Sequence, residues 1–158
     1  MPVNYGKAFE SKFKNDWIVS YPHSFIYRLN DQLSGYKAVS KNICDFICFN
    51  DGILYLIECK SHNGNTFPLA NLTQFDKLKE KVGIPGVRAG VILWMIDHKK
   101  VLYIPVSTFK KLKEDGKKSF NIKMAGDAEY FSLEIPGIVK RTFIDSDYTV
   151  LSILEDGQ

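Results

Sequence analysis

Two strand-like runs, Ile43 to Phe49 and Ile53 to Lys60, flank Asn50-Asp51-Gly52, and no other segment so narrows what the chain can become. Asp-Gly is a strong signal for a two-residue hairpin turn, so the runs are expected to pair as antiparallel neighbours. A turn at Asp51-Gly52 also fixes the register. Asn50 then opposes Ile53, Phe49 opposes Leu54 and, further along, Asp45 opposes Glu58. Directly opposed residues share a sheet face, with Cβ atoms about 4.5–5.5 Å apart. Lys60, two residues beyond Glu58, points to that face too. A one-residue bulge would break this pairing.

Opposed like charges destabilise a sheet, and apolar neighbours add to the penalty. Ile47, Phe49, Leu54 and Leu56 fill the rest of the acidic face, while Cys44, Phe46, Cys48, Tyr55 and Ile57 line the other. A divalent cation would relieve the conflict. Mg²⁺ takes hard oxygen ligands from one or two carboxylates and keeps several waters. The Cys59 backbone carbonyl could add an oxygen, with its side chain turned away. The plainer alternative is an exposed hairpin end where Lys60 bridges two acids.

The 158 residues are expected to form one domain, 1–158, with 45% hydrophobic and 25% charged residues, ordinary values for a globular protein. No apolar run reaches membrane-spanning length, and the N-terminus lacks a secretory pattern, so a cytoplasmic protein without a membrane partner is expected. Three cysteines, Cys44, Cys48 and Cys59, form an odd set that suits free thiols. Cys44 and Cys48 could be half a zinc site, but no second ligand pair follows. The net charge of +3 is too mild to identify a nucleic-acid partner. Lysines crowd two segments, Lys7 to Lys14 and Lys110 to Lys118, a pattern that suits phosphate contacts or a solvated helix equally.

Tyr5, Phe9, Phe13 and Trp17 recur every four residues and predict an amphipathic first helix. Phe25 to Tyr27 predicts a short strand, and Asn30 to Asn42 a loop. Leu72, Phe75, Leu78 and Val82 have helical spacing, ended by Gly83 and Pro85. Ala89 to Ile96 reads as a strand covered on both faces, with Trp94 in the core, and Val101 to Val106 as another. Ser107 or Thr108 could cap a short basic helix closed by Gly116. Strands near Tyr130–Ile135 and Val139–Ile144 complete an α/β or α+β domain with a mixed sheet.

At the hairpin the sequence resembles the PD-(D/E)xK nuclease superfamily, whose signature places an acid on one strand and acid-x-Lys on the next. Here these read Cys44-Asp45 and Glu58-Cys59-Lys60. More specifically, the chain is similar to the RecU-type Holliday junction resolvases, including phage relatives. Asn4-Tyr5-Gly6-Lys7-Ala8-Phe9-Glu10 resembles that family's first helix, and Asn42-Ile43-Cys44-Asp45-Phe46 and Leu56-Ile57-Glu58-Cys59-Lys60 its metal-binding strands. Asn65-Thr66-Phe67-Pro68-Leu69 resembles its Phe-Pro-Leu element, and Gln74 falls where it has a glutamine. Two departures stand out. Ile43 and Cys44 replace a frequent proline, and Tyr27 to Asp45 is short for the stalk that RecU-type enzymes insert into a junction.

The resemblance implies a restriction-endonuclease-like core, a mixed central β-sheet flanked by α-helices. It implies Asp45 and Glu58 as ligands of Mg²⁺, with Mn²⁺ as a substitute, and Lys60 as a fixed positive charge beside the attacking water. Glu10 would approach the cluster from the first helix, although its spacing from Lys7 and Lys14 equally suits helix salt bridges. Gln74 could bond a water or a phosphate oxygen, or face solvent. Lys7, Arg28, Lys37 and Lys41 would hold the DNA backbone, or simply be solvated.

Implied overall is a homodimeric, Mg²⁺-dependent endonuclease that resolves four-way junctions in branched double-stranded DNA. Two other functions use the same residues: a related nuclease acting on duplex or branched DNA, and a non-catalytic junction-binding protein.

Overall fold

The computed structural model describes residues 5–30 and 41–158. The first helix, α1 (Tyr5–Ser20), forms where the four-residue aromatic spacing predicts it, and buries Phe9, Phe13 and Trp17. Full burial of such side chains contributes about 1.5–3 kcal/mol each. A strand β1 (Phe25–Arg28) follows, and then the hairpin of β2 (Phe46–Asn50) and β3 (Ile53–His62). Asp51 (φ 49°) and Gly52 (φ 78°) both take left-handed backbone angles, as a primed two-residue turn demands. The register is the expected one, from Asn50 opposite Ile53 to Phe46 opposite Ile57.

After β3 the chain forms a short strand β4 (Thr66–Pro68) and the five-residue helix α2 (Phe75–Lys79), then β5 (Val87–Met95), β6 (Lys100–Pro105) and helix α3 (Val106–Glu114). Strand β7 (Ser119–Asn121) pairs with β4. Strand β8 (Leu133–Ile135) joins the main sheet, and β9 (Gly137–Val139) and β10 (Ile144–Ser146) pair with each other. The main sheet runs β1-β2-β3-β5-β6-β8. Its β3–β5 pair is parallel and its other pairs antiparallel, a mixed sheet as expected.

The sheet separates two cores. On one side Leu56, Val91 and Leu93 pack with Phe75 and Leu78 of α2 and Phe109 and Leu112 of α3. On the other, Phe46, Ile57, Ile92 and Trp94 pack with α1 and with Tyr148 and Leu151 near the C-terminus. Strand β5 thus buries successive residues on opposite sides, which accounts for its unbroken apolar run. Gly90 of β5 leaves room for the Tyr103 ring, which a Cβ there would meet at 2.3 Å.

Several local expectations fail for identifiable reasons. The second helix is only five residues long, because the chain enters it from a 3-10 helix (Leu69–Asn71) and leaves through turns before Gly83. Neither Ser107 nor Thr108 caps α3. Pro105 precedes the helix without a side-chain cap, and the buried Thr108 hydroxyl donates instead to the Phe131 carbonyl at 2.5 Å. Val139–Ile144 is not one strand, since Val139 ends β9, Ile144 begins β10 and residues 140–143 form the turn between them. β2 starts at Phe46 rather than Ile43, for a reason that lies in the site itself. No helix among the described residues is long and apolar enough to cross a membrane.

Candidate functional site

At Asp45 the hairpin ladder gives out. Its amide donates to the Ile57 carbonyl at 3.1 Å, one residue short of the register partner Glu58. Its carbonyl accepts from the Leu29 amide at 2.8 Å. Its side chain replaces the missing ladder acceptor, Oδ2 taking the Cys59 amide at 2.9 Å. The slip disturbs the alternation of faces. Cys44 packs in the core with Leu56, not with Phe46 and Cys48 as strict alternation would have it. Cys44 and Cys48 therefore lie on opposite sides of the sheet and cannot be two ligands of one ion. All three thiols are free and buried.

Despite the slip, the Asp45 side chain comes close enough to Glu58 to act on it by charge and by hydrogen bonding. Glu58 is 3% exposed, an uncommon state for a glutamate. Burial, then the Asp45 charge and the bond to it, and last the Glu10 charge push its acid up to about 9, against the opposing pull of Lys60. The Lys60 ammonium lies 3.8 Å from Glu58 Oε1 and is partly exposed. Glu58 Oε2 is buried with no hydrogen-bond partner, an acceptor left unsatisfied.

Glu10 of α1 comes close enough to act on Glu58 electrostatically. It also accepts two hydrogen bonds from Arg28, from Nε at 3.0 Å and Nη2 at 2.7 Å. This pairing was missed in the sequence, where Arg28 reads as a phosphate contact. The signal was present in the strand alternation, because Arg28 lies on the same face of β1 as Ile26, which packs in the α1-side core.

Gln74 is brought to α2 as the residue preceding its first turn, half-buried, where it accepts from the Thr73 hydroxyl at 3.1 Å. Lys7 and Lys41 are exposed, and the Lys41 carbonyl accepts from the Lys77 ammonium. Lys37 lies outside the described residues.

The donor set is hard oxygen. It consists of Asp45, Glu58 with its unpartnered Oε2, and the Cys59 carbonyl. A strand residue's N–H and C=O project to one edge, so that carbonyl faces the side on which the Cys59 amide meets Asp45. Two carboxylates and a carbonyl suit Mg²⁺, which fills its other positions with water. Among the described residues no three His, Cys, Asp or Glu side chains form a metal-binding group, so a cation here would rest on the acid pair and backbone oxygen.

No family model matches the sequence, and no curated protein matches it. Among solved structures the chain is similar to Hjc, a Holliday junction resolvase from the archaeal hyperthermophile Archaeoglobus fulgidus. The two are 19% identical with a TM-score of 0.52, over 78% of this chain and 94% of that one. At that identity the likeness is one of fold. The mixed central sheet flanked by helices is the restriction-endonuclease-like fold of that resolvase.

Proposed function

We propose that the chain is an endodeoxyribonuclease of the PD-(D/E)xK type that resolves four-way DNA junctions, working as a homodimer with Mg²⁺ or Mn²⁺. One observation carries this reading: a buried glutamate, with an unsatisfied oxygen, set against a second carboxylate and a lysine where a hairpin ladder ends. Such an arrangement destabilises the fold unless something cationic compensates it. It sits on a fold shared with a protein whose own activity is junction resolution.

Asp45 and Glu58, with the Cys59 carbonyl, would hold the cation. When bound, such a cation lowers the pKa of a coordinated water and stabilises charge on the scissile phosphate. Glu58 must release its proton for this, and the partly exposed Lys60 beside it would supply a fixed positive charge to the reacting phosphate. Glu10, oriented by its two bonds from Arg28, adds negative charge to the cluster from α1. Lys7 and Lys41 are exposed and would contact the DNA backbone.

The test is cleavage of a mobile four-way junction and of linear duplex of matching sequence, with and without Mg²⁺. Selective, Mg²⁺-dependent cutting of the junction is expected, and Asp45→Asn and Glu58→Gln should abolish it. Equal cutting of duplex would move the substrate to ordinary DNA. Junction binding without any cutting by the wild-type protein would leave a non-catalytic binder. Cleavage surviving both substitutions would overturn the site.

A further inference from the structure

On the sheet face that carries Glu58 and Lys60, three aromatic side chains at the edge toward β1 stand half-exposed among the described residues. Phe25, Tyr27 and Phe49 are 54%, 52% and 47% exposed. Register places them in rows, Phe25 opposite Phe49 and then Leu54, and Tyr27 opposite Ile47 and then Leu56. One step further along, where the ladder slips, lie Leu29, whose amide bonds the Asp45 carbonyl, and Asp45, with Glu58 following Ile57 on β3. Tyr27 therefore stands one row, about 7 Å along the strand, from the row of the acids, and two strands across from Glu58. The Phe25 and Tyr27 rings are within 9° of parallel, with centroids 6.4 Å apart. A flat heterocycle held between two parallel rings requires about twice the 3.4 Å rise of stacked bases, close to this centroid separation, and two half-exposed side chains are free to turn face to face around it.

Resting on the nuclease reading above, we propose that Phe25 and Tyr27 form a slot for a nucleobase unstacked at the branch point, with Phe49 extending its floor. A continuous duplex keeps its bases stacked, whereas a branch point can release one, so the slot would help select branched over linear DNA. A second protein copy is the weaker occupant. Three half-exposed rings offer on the order of 300 Å², against about 800 Å² per partner in a stable interface. A base needs only the two ring faces, and aromatic stacking is tolerant of base identity.

The experiment compares the wild-type protein, Phe25→Ala/Tyr27→Ala and Tyr27→Phe on a four-way junction carrying the fluorescent adenine analogue aminopurine at the branch, and on matching linear duplex. Thermal melts confirm that each variant folds. Binding of the wild-type protein should change the branch-point fluorescence. The double variant should lose that change and bind the junction roughly 10- to 100-fold more weakly, with duplex affinity within about twofold. Tyr27→Phe, which keeps the ring, should behave as wild type. An unchanged junction affinity in the double variant, an equal loss on duplex, or conversion of a wild-type dimer to monomer in sedimentation would each overturn the slot. The two readings fail separately. A ring-dependent fluorescence change without cleavage of any DNA would remove the nuclease and keep the slot, while junction cleavage without the fluorescence change would do the reverse.

Discussion

Replacing Glu58 with glutamine should make the cation-free protein more stable while removing its activity. The folded state holds the Glu58 proton far more tightly than the unfolded chain, whose glutamate titrates near its ordinary 4.5. Between that value and about 9 the folded state binds more protons. Stability therefore falls as pH rises through this window and is greatest below it. At 1.36 kcal/mol per pH unit, full linkage up to pH 8 bounds the loss at about 5 kcal/mol. Relaxation of the site and coupling to Asp45 should reduce the realised effect to about 2 kcal/mol. Glutamine fills the same volume, cannot ionise, and can donate to Asp45. Glu58→Gln should then melt about 4–8 °C above wild type at pH 8, and the gap should close near pH 5. Calorimetry in chelator at both pH values measures this directly. Added Mg²⁺ should raise the wild-type melting temperature, by the equivalent of about 2.7 kcal/mol at a hundredfold excess over Kd, and leave the variant unmoved. A variant that melts at or below wild type at pH 8, or a gap independent of pH, would refute the argument that Glu58 is buried against its own charge.

Lys60→Ala should lower single-turnover junction cleavage by roughly 10²–10³-fold while leaving junction affinity nearly unchanged, because the lost interaction belongs to the transition state. A gel-shift titration alongside the cleavage assay separates the two. Arg28→Ala strands the partly buried Glu10 carboxylate and should cost about 1–3 kcal/mol in urea denaturation, with Arg28→Lys losing less. Gly90→Ala drives a methyl into the Tyr103 ring and should destabilise by about 1–3 kcal/mol, visible as an earlier denaturation midpoint without a change in slope.

How far the sequence discloses the molecule depends on how local each determinant is. The hairpin register was legible because one dipeptide, Asp51-Gly52, fixes it, and the face shared by Glu58 and Lys60 follows from strand period alone. The slip at Asp45 was not legible. It arises from a tertiary choice, in which a carboxylate rather than a backbone carbonyl accepts from the Cys59 amide, and with it Cys44 moves to the opposite core. The Arg28–Glu10 pair was legible only by half, since strand alternation turns Arg28 toward the α1 side but no local pattern encodes the helix packing that brings Glu10 to it. The last third is written in strands of three residues, β7 to β10, too short for periodicity to register. Phe25, Tyr27 and Phe49 were readable as strand residues, but their exposure depends on where α2 and α3 stop covering the sheet.

The division into two cores has an optical consequence. Both tryptophans, Trp17 and Trp94, belong to the core beneath α1, and neither to the one beneath α2 and α3. Intrinsic fluorescence therefore follows the fate of one side of the sheet only. If the other side loosened first, the emission spectrum would not change. A tryptophan placed at Phe109, inside the silent core, would give each side its own signal. Coincidence of the two melting curves would then show directly whether the shared sheet makes the halves unfold as one.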